Sequence, residues 1–142
     1  EKVRELDGVT YINDSKGTNV DSTLKAIQTM TKPTVMILGG YDKHVDMTRL
    51  CQAIPGSQIQ KVVLIGDTAM QIQKGLDETG FTAYSHAGHD FEKAVLMARE
   101  MAGPGWNVLL SPACASFDMF ADYEQRGRVF KSIVGGLESA AT

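Results

Sequence analysis

Three short polar segments of the 142-residue chain combine cations, hydroxyls and glycines, and each directly follows an apolar run. They are residues 13–19 (NDSKGTN), residues 39–44 (GGYDKH) and residues 111–118 (SPACASFD). Ammonium groups bind carboxylates and phosphates, and glycine lets a ligand approach the backbone closely. Taken together, the segments predict a site for a small ligand that carries two negative groups.

The first segment, residues 13–19, has two interpretations. Its amide, carboxylate and hydroxyl side chains can close a turn and cap a following helix. Lys16 does not fit that interpretation, because a turn has no use for an ammonium group, whereas anion binding does. A turn with a helix cap and a binding segment therefore both remain open on residue types alone.

The second segment places Lys43 after Gly39 and Gly40. A glycine turn that carries a solvated lysine competes here with an anion-binding loop. His44 is a candidate base, although a single histidine in a loop is more often simply exposed. A second lysine at the end of a second apolar run favours the binding interpretation.

The third segment, residues 111–118, consists mainly of small residues before a predicted helix, where backbone N–H groups can face an anion. Ser116 lacks the G-x-S-x-G context of a hydrolase nucleophile, and no histidine follows it in the chain. Cys114 is predicted to be a small buried residue. Farther on, Arg126 and Arg128 either bind an anion or pair with Glu124 and face water.

Apolar runs that alternate with amphipathic segments predict the elements that position these residues. The predicted strands are residues 9–12, 35–38, 62–65, 81–84 and 107–111. The predicted helices are residues 22–30, 47–53, 69–79, 91–102 and 117–137, with Asp21 and Asp90 among the N-caps. This alternation predicts an α/β fold, a Rossmann-like mostly parallel sheet with helices on both faces. All three polar segments then follow the carboxyl ends of strands, where such sheets bind ligands.

Length and composition exclude several classes of protein. The chain suits one domain, and its formal charge of -3 gives no support for a nucleic-acid or membrane partner. No apolar run resembles a spanning helix or a signal peptide, so a cytoplasmic protein is expected. The two cysteines lack metal-site spacing, which predicts reduced thiols and no metal site. Because no glycine-rich phosphate loop is present, another domain should hold most of any nucleotide.

The polar segments also carry a resemblance to the C-terminal domain of the Mur ligases, in particular to those that add D-glutamate. The matching positions are residues 13–19, Gly39, Gly40, Asp42, Lys43, residues 111–118, Phe120 and residues 124–127. The resemblance covers nearly the whole of residues 1–142 and implies an amino-acid-binding domain. It also implies that an N-terminal UDP-binding domain and a central ATP-binding domain are absent from this chain.

The activity implied by the resemblance is that of an ATP-dependent, amide-forming ligase of cytoplasmic peptidoglycan precursor synthesis. It would add D-glutamate to UDP-N-acetylmuramoyl-L-alanine through an acyl phosphate. ATP and Mg²⁺ would be held mainly by the central domain, and no cofactor is expected in this chain. The fragment alone is expected to be inactive and monomeric.

Four positions are implied to bind D-glutamate. Thr18 and Lys43 would hold one carboxylate, while Ser116 and the backbone around Tyr123 would hold the other. Tyr123 stands where some relatives have Phe, which matters little if the contact is made through the backbone.

Three further positions are implied to act on the other reactants. Lys16 would lie beside the reacting groups, as the catalytic residue, and support their developing negative charge. Asp14 and Asn19 would bind the nucleotide, with Asp14 at the ribose. Gly17 departs from the Ala of many relatives.

A second interpretation comes from a different functional class. The same polar segments would suit a stand-alone α/β module that binds an anionic metabolite or a partner and performs no chemistry. The residue types alone do not discriminate between this module and the ligase.

Overall fold

The computed structural model describes residues 1–139, which form a six-stranded sheet with five helices. The strands are β1 (Lys2–Leu6), β2 (Val9–Asn13), β3 (Thr34–Gly39), β4 (Ile59–Ile65), β5 (Tyr84–Gly88) and β6 (Asn107–Leu110). The helices are α1 (Val20–Thr29), α2 (Thr48–Ala53), α3 (Ala69–Glu78), α4 (Phe91–Met101) and α5 (Tyr123–Gly136). Within this described range, no helix is long and apolar enough to cross a bilayer.

The strands lie in the order β1-β2-β6-β3-β4-β5. Five neighbouring strands run parallel to one another, namely β2, β6, β3, β4 and β5. At one edge of the sheet, β1 pairs antiparallel with β2. This architecture confirms the predicted α/β fold with a mostly parallel sheet. The last strand in the chain, β6, lies between β2 and β3, so the three polar segments follow three adjacent strands.

Helices cover both faces of the sheet. Successive side chains of a strand point to opposite faces, and in the central strands both sets are apolar and need to be buried. In β3, Met36 and Leu38 pack in a core with α1, α2 and α3. Val35 and Ile37 pack on the opposite face with α4 and α5. All six residues of β3 are buried, which explains why its sequence is a continuous apolar run instead of an alternating one.

Two strands differ from the prediction, and both lie at sheet edges. The prediction missed β1, which forms a hairpin with β2 through Asp7 and Gly8, at φ values of 55° and 80°. An Asp-Gly pair is a known hairpin signal, so this turn was detectable. Strand β5 is Tyr84–Gly88 and not residues 81–84. Only Ala87 is buried in this edge strand, which leaves little apolar pattern to detect.

Two helix starts also differ from the prediction. Helix α1 is capped by Asn19, whose side chain accepts a hydrogen bond from the Ser22 N–H at 2.9 Å, and not by Asp21. Helix α5 starts at Tyr123 with Asp122 as its cap. The prediction that residues 117–122 are helical is therefore wrong. The predicted cap at Asp90 is confirmed by its bond from the Lys93 N–H.

Candidate functional site

Backbone hydrogen bonds join the three polar segments at the carboxyl end of the sheet. Ala113 N–H donates to the Gly17 carbonyl at 2.9 Å, which links the first segment to the third. Tyr41 N–H donates to the Ala115 carbonyl at 2.9 Å, which links the second to the third. The prediction that the segments share one end of the sheet is confirmed, with residues 111–118 in the middle.

A buried arginine holds two of these segments in place. Arg126 is 1% exposed, and its Nε and Nη2 atoms donate to the hydroxyl and carbonyl of Ser15 at 2.9 and 2.8 Å. Its Nη1 atom donates to the Cys114 carbonyl at 2.9 Å. Burial lowers the pKa of Arg126 to about 10, which still leaves the guanidinium charged at neutral pH. Arg126 is therefore an internal tie, and three of its five N–H donors are used by Ser15 and Cys114.

The role of Arg126 was missed by reasoning from residue types, although a signal was present. Arg126, Phe130 and Val134 are spaced four residues apart on α5, and all three are buried. Such spacing places the arginine on the apolar face of the helix. Arg128 does not share this face and is exposed.

The Asp14 side chain is fixed by a second set of contacts. Ser111 Oγ donates to Asp14 Oδ2 at 2.8 Å, and Ser111 Oγ lies 3.0 Å from Thr23 Oγ1 on α1. Gly17 makes this packing feasible, since an added Cβ would lie 2.8 Å from Asp14 Oδ2 and 2.9 Å from Ser111 Oγ. One carboxylate oxygen of Asp14 is thus held, and the other is not engaged by any described residue.

Three of the predicted site residues line one small depression of about 100 Å³. Thr18 and Asn19 come from the first segment, and Lys43 comes from the second. Residues 113–115 also line it, and their backbone hydrogen bonds connect the two segments. A hydroxyl, an amide and an ammonium group from two loops therefore meet at one small surface.

Three other predicted residues line a separate, larger cleft of about 460 Å³ beside α5. These are Asp14, Lys16 and Tyr123. Two residues lie apart from the others that are predicted to bind the same reactant. Asn19, predicted to bind the nucleotide, lines the depression of Thr18 and Lys43, and Tyr123, predicted to bind D-glutamate, lines the cleft of Asp14 and Lys16.

Ser116 lines neither depression. It is 2% exposed, and its Oγ atom has no hydrogen-bond partner among the described residues. A buried hydroxyl without a hydrogen-bond partner is uncommon and costs free energy. A bound ligand that forms a hydrogen bond with it would remove that cost.

The two lysines of the site contrast with Arg126. Lys16 and Lys43 are both exposed. Among residues 1–139, neither ammonium group forms a hydrogen bond or an ion pair. Both positive charges are therefore available to an external anion.

The thiols and His44 show no arrangement for catalysis. Cys51 and Cys114 are both buried and free. Burial raises the pKa of each thiol to about 11, so neither is a thiolate at neutral pH. His44 is exposed, 3.7 Å from Asp42 through its Nδ1 atom. The prediction that Cys114 is a small buried residue is confirmed.

The chain is similar to proteins of one known family over nearly its whole length. Residues 1–114 match the family model described as Mur ligase, glutamate ligase domain. A UDP-N-acetylmuramoylalanine–D-glutamate ligase of Caldicellulosiruptor saccharolyticus is 44% identical over 137 residues, 96% of this chain and 30% of that protein. The ligase of the same name from Clostridioides difficile is 45% identical over 138 residues, 97% of this chain and 30% of that protein.

A solved structure supports the fold. UDP-N-acetylmuramate-alanine ligase MurC from Thermotoga maritima matches with a TM-score of 0.63 and 14% identity, over 95% of this chain and 29% of that one. The chain spans about 30% of the length of the curated relatives it matches.

Proposed function

The chain belongs to the Mur ligase family through its glutamate ligase domain, and we propose on that premise that it binds D-glutamate for addition to UDP-N-acetylmuramoyl-L-alanine. Residues 1–142 would form the amino-acid-binding domain of a monomeric cytoplasmic ligase. The UDP-binding and ATP-binding domains would lie outside this chain, in keeping with its 30% share of its relatives. Without them the domain would be inactive.

The observation that carries this proposal is the shared depression of Thr18 and Lys43. Its ammonium and hydroxyl groups match a carboxylate, which accepts charge-assisted hydrogen bonds from both. The second carboxylate of D-glutamate would reach the unpartnered Ser116 hydroxyl and the backbone around Tyr123. Binding would then satisfy a buried polar group as well as neutralise Lys43.

The other proposed roles belong to Lys16 and Asp14 in the cleft beside α5 and to Asn19 in the small depression. Lys16 would lie next to the reacting groups and stabilise negative charge as it develops on them. Asp14 and Asn19 would bind the nucleotide, and the free oxygen of Asp14 can accept a hydrogen bond from a ribose hydroxyl. Asn19 would do so in addition to capping α1.

ATP would activate the alanine carboxylate as an acyl phosphate, with Mg²⁺ held mainly outside this chain. The residues of this chain would bind D-glutamate and orient its amine toward that carboxylate. Positioning of this kind lowers the barrier because it removes the entropy cost of bringing two reactants together.

Lys43→Ala in the full-length ligase that contains this domain tests the proposal. Losing one charge-assisted contact should raise KM for D-glutamate by roughly ten- to a hundredfold, with little change in KM for ATP. Lys74→Ala is the matched control, because Lys74 is an exposed lysine on α3 that lines neither depression. Equal KM values for D-glutamate in wild type and Lys43→Ala would exclude the proposed role.

A further inference from the structure

Three side chains that line neither depression meet at the carboxyl end of the sheet. Asp67 follows β4, His89 follows β5, and Asp118 precedes α5. His89 Nε2 lies 2.8 Å from Asp67 Oδ1 and 3.6 Å from Asp118 Oδ2. One ligand atom from each residue lies within 4.8 Å of the others.

A second, independent observation concerns the carboxylate of Asp118. Its side chain is only 4% exposed, and its Oδ1 atom has no hydrogen-bond partner among residues 1–139. The other oxygen, Oδ2, accepts a hydrogen bond from the Asp67 N–H at 3.0 Å. An unsatisfied buried carboxylate oxygen is costly, and buried charges are usually paired or coordinate a metal.

We propose that Asp67, His89 and Asp118 form a binding site for a divalent transition-metal cation, with Zn²⁺ as the best match. Bonds of about 2.0–2.1 Å at a tetrahedral angle would separate neighbouring ligand atoms by about 3.3 Å. His89 Nε2 lies 2.8 and 3.6 Å from the two carboxylate oxygens, on either side of that value, and all three ligand atoms lie within 4.8 Å of one another. Two carboxylates also balance the two charges of the ion.

The donor set discriminates between metals. An imidazole nitrogen suits Zn²⁺ and its neighbours, whereas Mg²⁺ and Ca²⁺ prefer oxygen ligands. The side chains of His89 and Asp67 are 53% and 46% exposed, so an ion can enter from solvent and keep water as a fourth ligand.

Backbone geometry brings these three residues together. Gly66 and Gly88 have φ values of 73° and 63°, and the Gly66 N–H donates to the Gly88 carbonyl at 3.0 Å. A Cβ on Gly66 would lie 2.4 Å from Asp118 Oδ2, so glycine is needed for the carboxylate to pack there. Metal binding would therefore connect the ends of β4 and β5 to the segment before α5.

This proposal departs from the sequence-based expectation of no metal site. That expectation rested on local spacing of cysteines and histidines. The three proposed ligands are separated by 22 and 29 residues in the chain, which matches no local metal motif. Only the neighbouring positions of β4 and β5 and the path of the chain before α5 bring them together.

Isothermal titration of the 142-residue chain with Zn²⁺ tests the site. The chain has three histidines, so His44→Ala and His86→Ala are matched controls for His89→Ala. Wild type and both controls should bind one Zn²⁺ at this site. His89→Ala should bind it at least about tenfold more weakly, and Mg²⁺ should not bind at the same concentrations.

A fold check by circular dichroism accompanies each variant, and the exposure of His89 makes unfolding of His89→Ala unexpected. Asp118→Asn is a second test, because it keeps an acceptor for the Asp67 N–H but loses a charge, and it should also weaken Zn²⁺ binding. Equal affinity in wild type and His89→Ala, or no Zn²⁺ binding by the wild-type chain, would overturn the proposal. Neither result bears on the glutamate site, whose test uses a different variant and ligand.

Discussion

The two lysine-bearing loops at the carboxyl end of the sheet are built differently. Residues 13–19 are fixed to the neighbouring segment by the buried Arg126 and by the Ser111 contact with Asp14. Residues 41–47 are mostly exposed, and only Met47 among them is buried. The first loop is thus tied to buried groups, whereas the second is held by backbone contacts such as the bond from Gln71 Nε2 to the Val45 carbonyl at 2.8 Å.

Because of this difference, one loop fixes the position of polar side chains in the candidate site, and the other supplies a positive charge. The fixed loop sets where Asp14, Thr18 and Asn19 lie, at the cost of burying a guanidinium group. The exposed loop brings a lysine to the same depression without using its charge inside the protein. Substitutions that remove the buried contacts of the first loop should therefore change stability, and substitution of Lys43 in the second loop should change binding and leave stability nearly unchanged.

Arg126→Met should have the largest effect on stability. Methionine keeps much of the volume but removes three hydrogen bonds, and it leaves the carbonyls of Ser15 and Cys114 without their donors. We expect a loss of about 3 kcal/mol in the free energy of unfolding, measured by urea denaturation. Arg128→Ala, which removes an exposed arginine from the same helix, should stay within about 0.5 kcal/mol of wild type. Similar losses in both variants would mean that Arg126 does not tie the loop.

Gly17→Ala should have an intermediate effect. The new methyl group would push Asp14 Oδ2 and Ser111 Oγ apart and break their hydrogen bond. The expected loss is about 1 kcal/mol in the same urea experiment. Gly135→Ala is the control, since a Cβ there meets open space in α5 and alanine favours helix. If Gly17→Ala were as stable as Gly135→Ala, the fixed loop would be looser than its contacts indicate.

Lys43→Ala should have the smallest effect on stability, within about 0.5 kcal/mol, because its side chain is exposed and unpaired among the described residues. The same substitution is expected to have a large effect on KM for D-glutamate, which would sharpen the contrast between the loops. Thermal or urea unfolding of the 142-residue chain provides the measurement. A loss above about 1 kcal/mol would show that the exposed loop also supports the fold.

Elements with continuous apolar runs were predictable, and elements at the edges were less so. Strands β3, β4 and β6 are buried by helices on both faces, and this burial requires the apolar runs that identified them. No residue of β1 and only Ala87 of β5 is buried, so the sequences of these two edge strands carry a weak apolar pattern. The predicted cap of α1 was Asp21, and the observed cap is Asn19. Both residue types can cap a helix, so only the backbone geometry decides which of them does.

Within the candidate site, residue types identified the segments but not their internal contacts. Lys16 and Lys43 were conspicuous because an ammonium group has no use in a turn. Arg126 was ambiguous, since the same residue can bind an anion, pair on the surface or cross-link loops. Its helical spacing with Phe130 and Val134 favours burial, but the acceptors it meets belong to distant parts of the chain.

By itself, the sequence determined that a parallel sheet forms and that the polar segments follow its strands, because alternating apolar runs and amphipathic helices are local patterns. Tertiary structure alone decided that β6 lies between β2 and β3, which joins residues nearly a hundred positions apart. The division of the site into two depressions and the Arg126 tie follow from that arrangement, whereas the cluster of Asp67, His89 and Asp118 depends on the neighbouring positions of β4 and β5. Hydrophobic burial is non-directional, so local pattern drives strands into a core without specifying their neighbours.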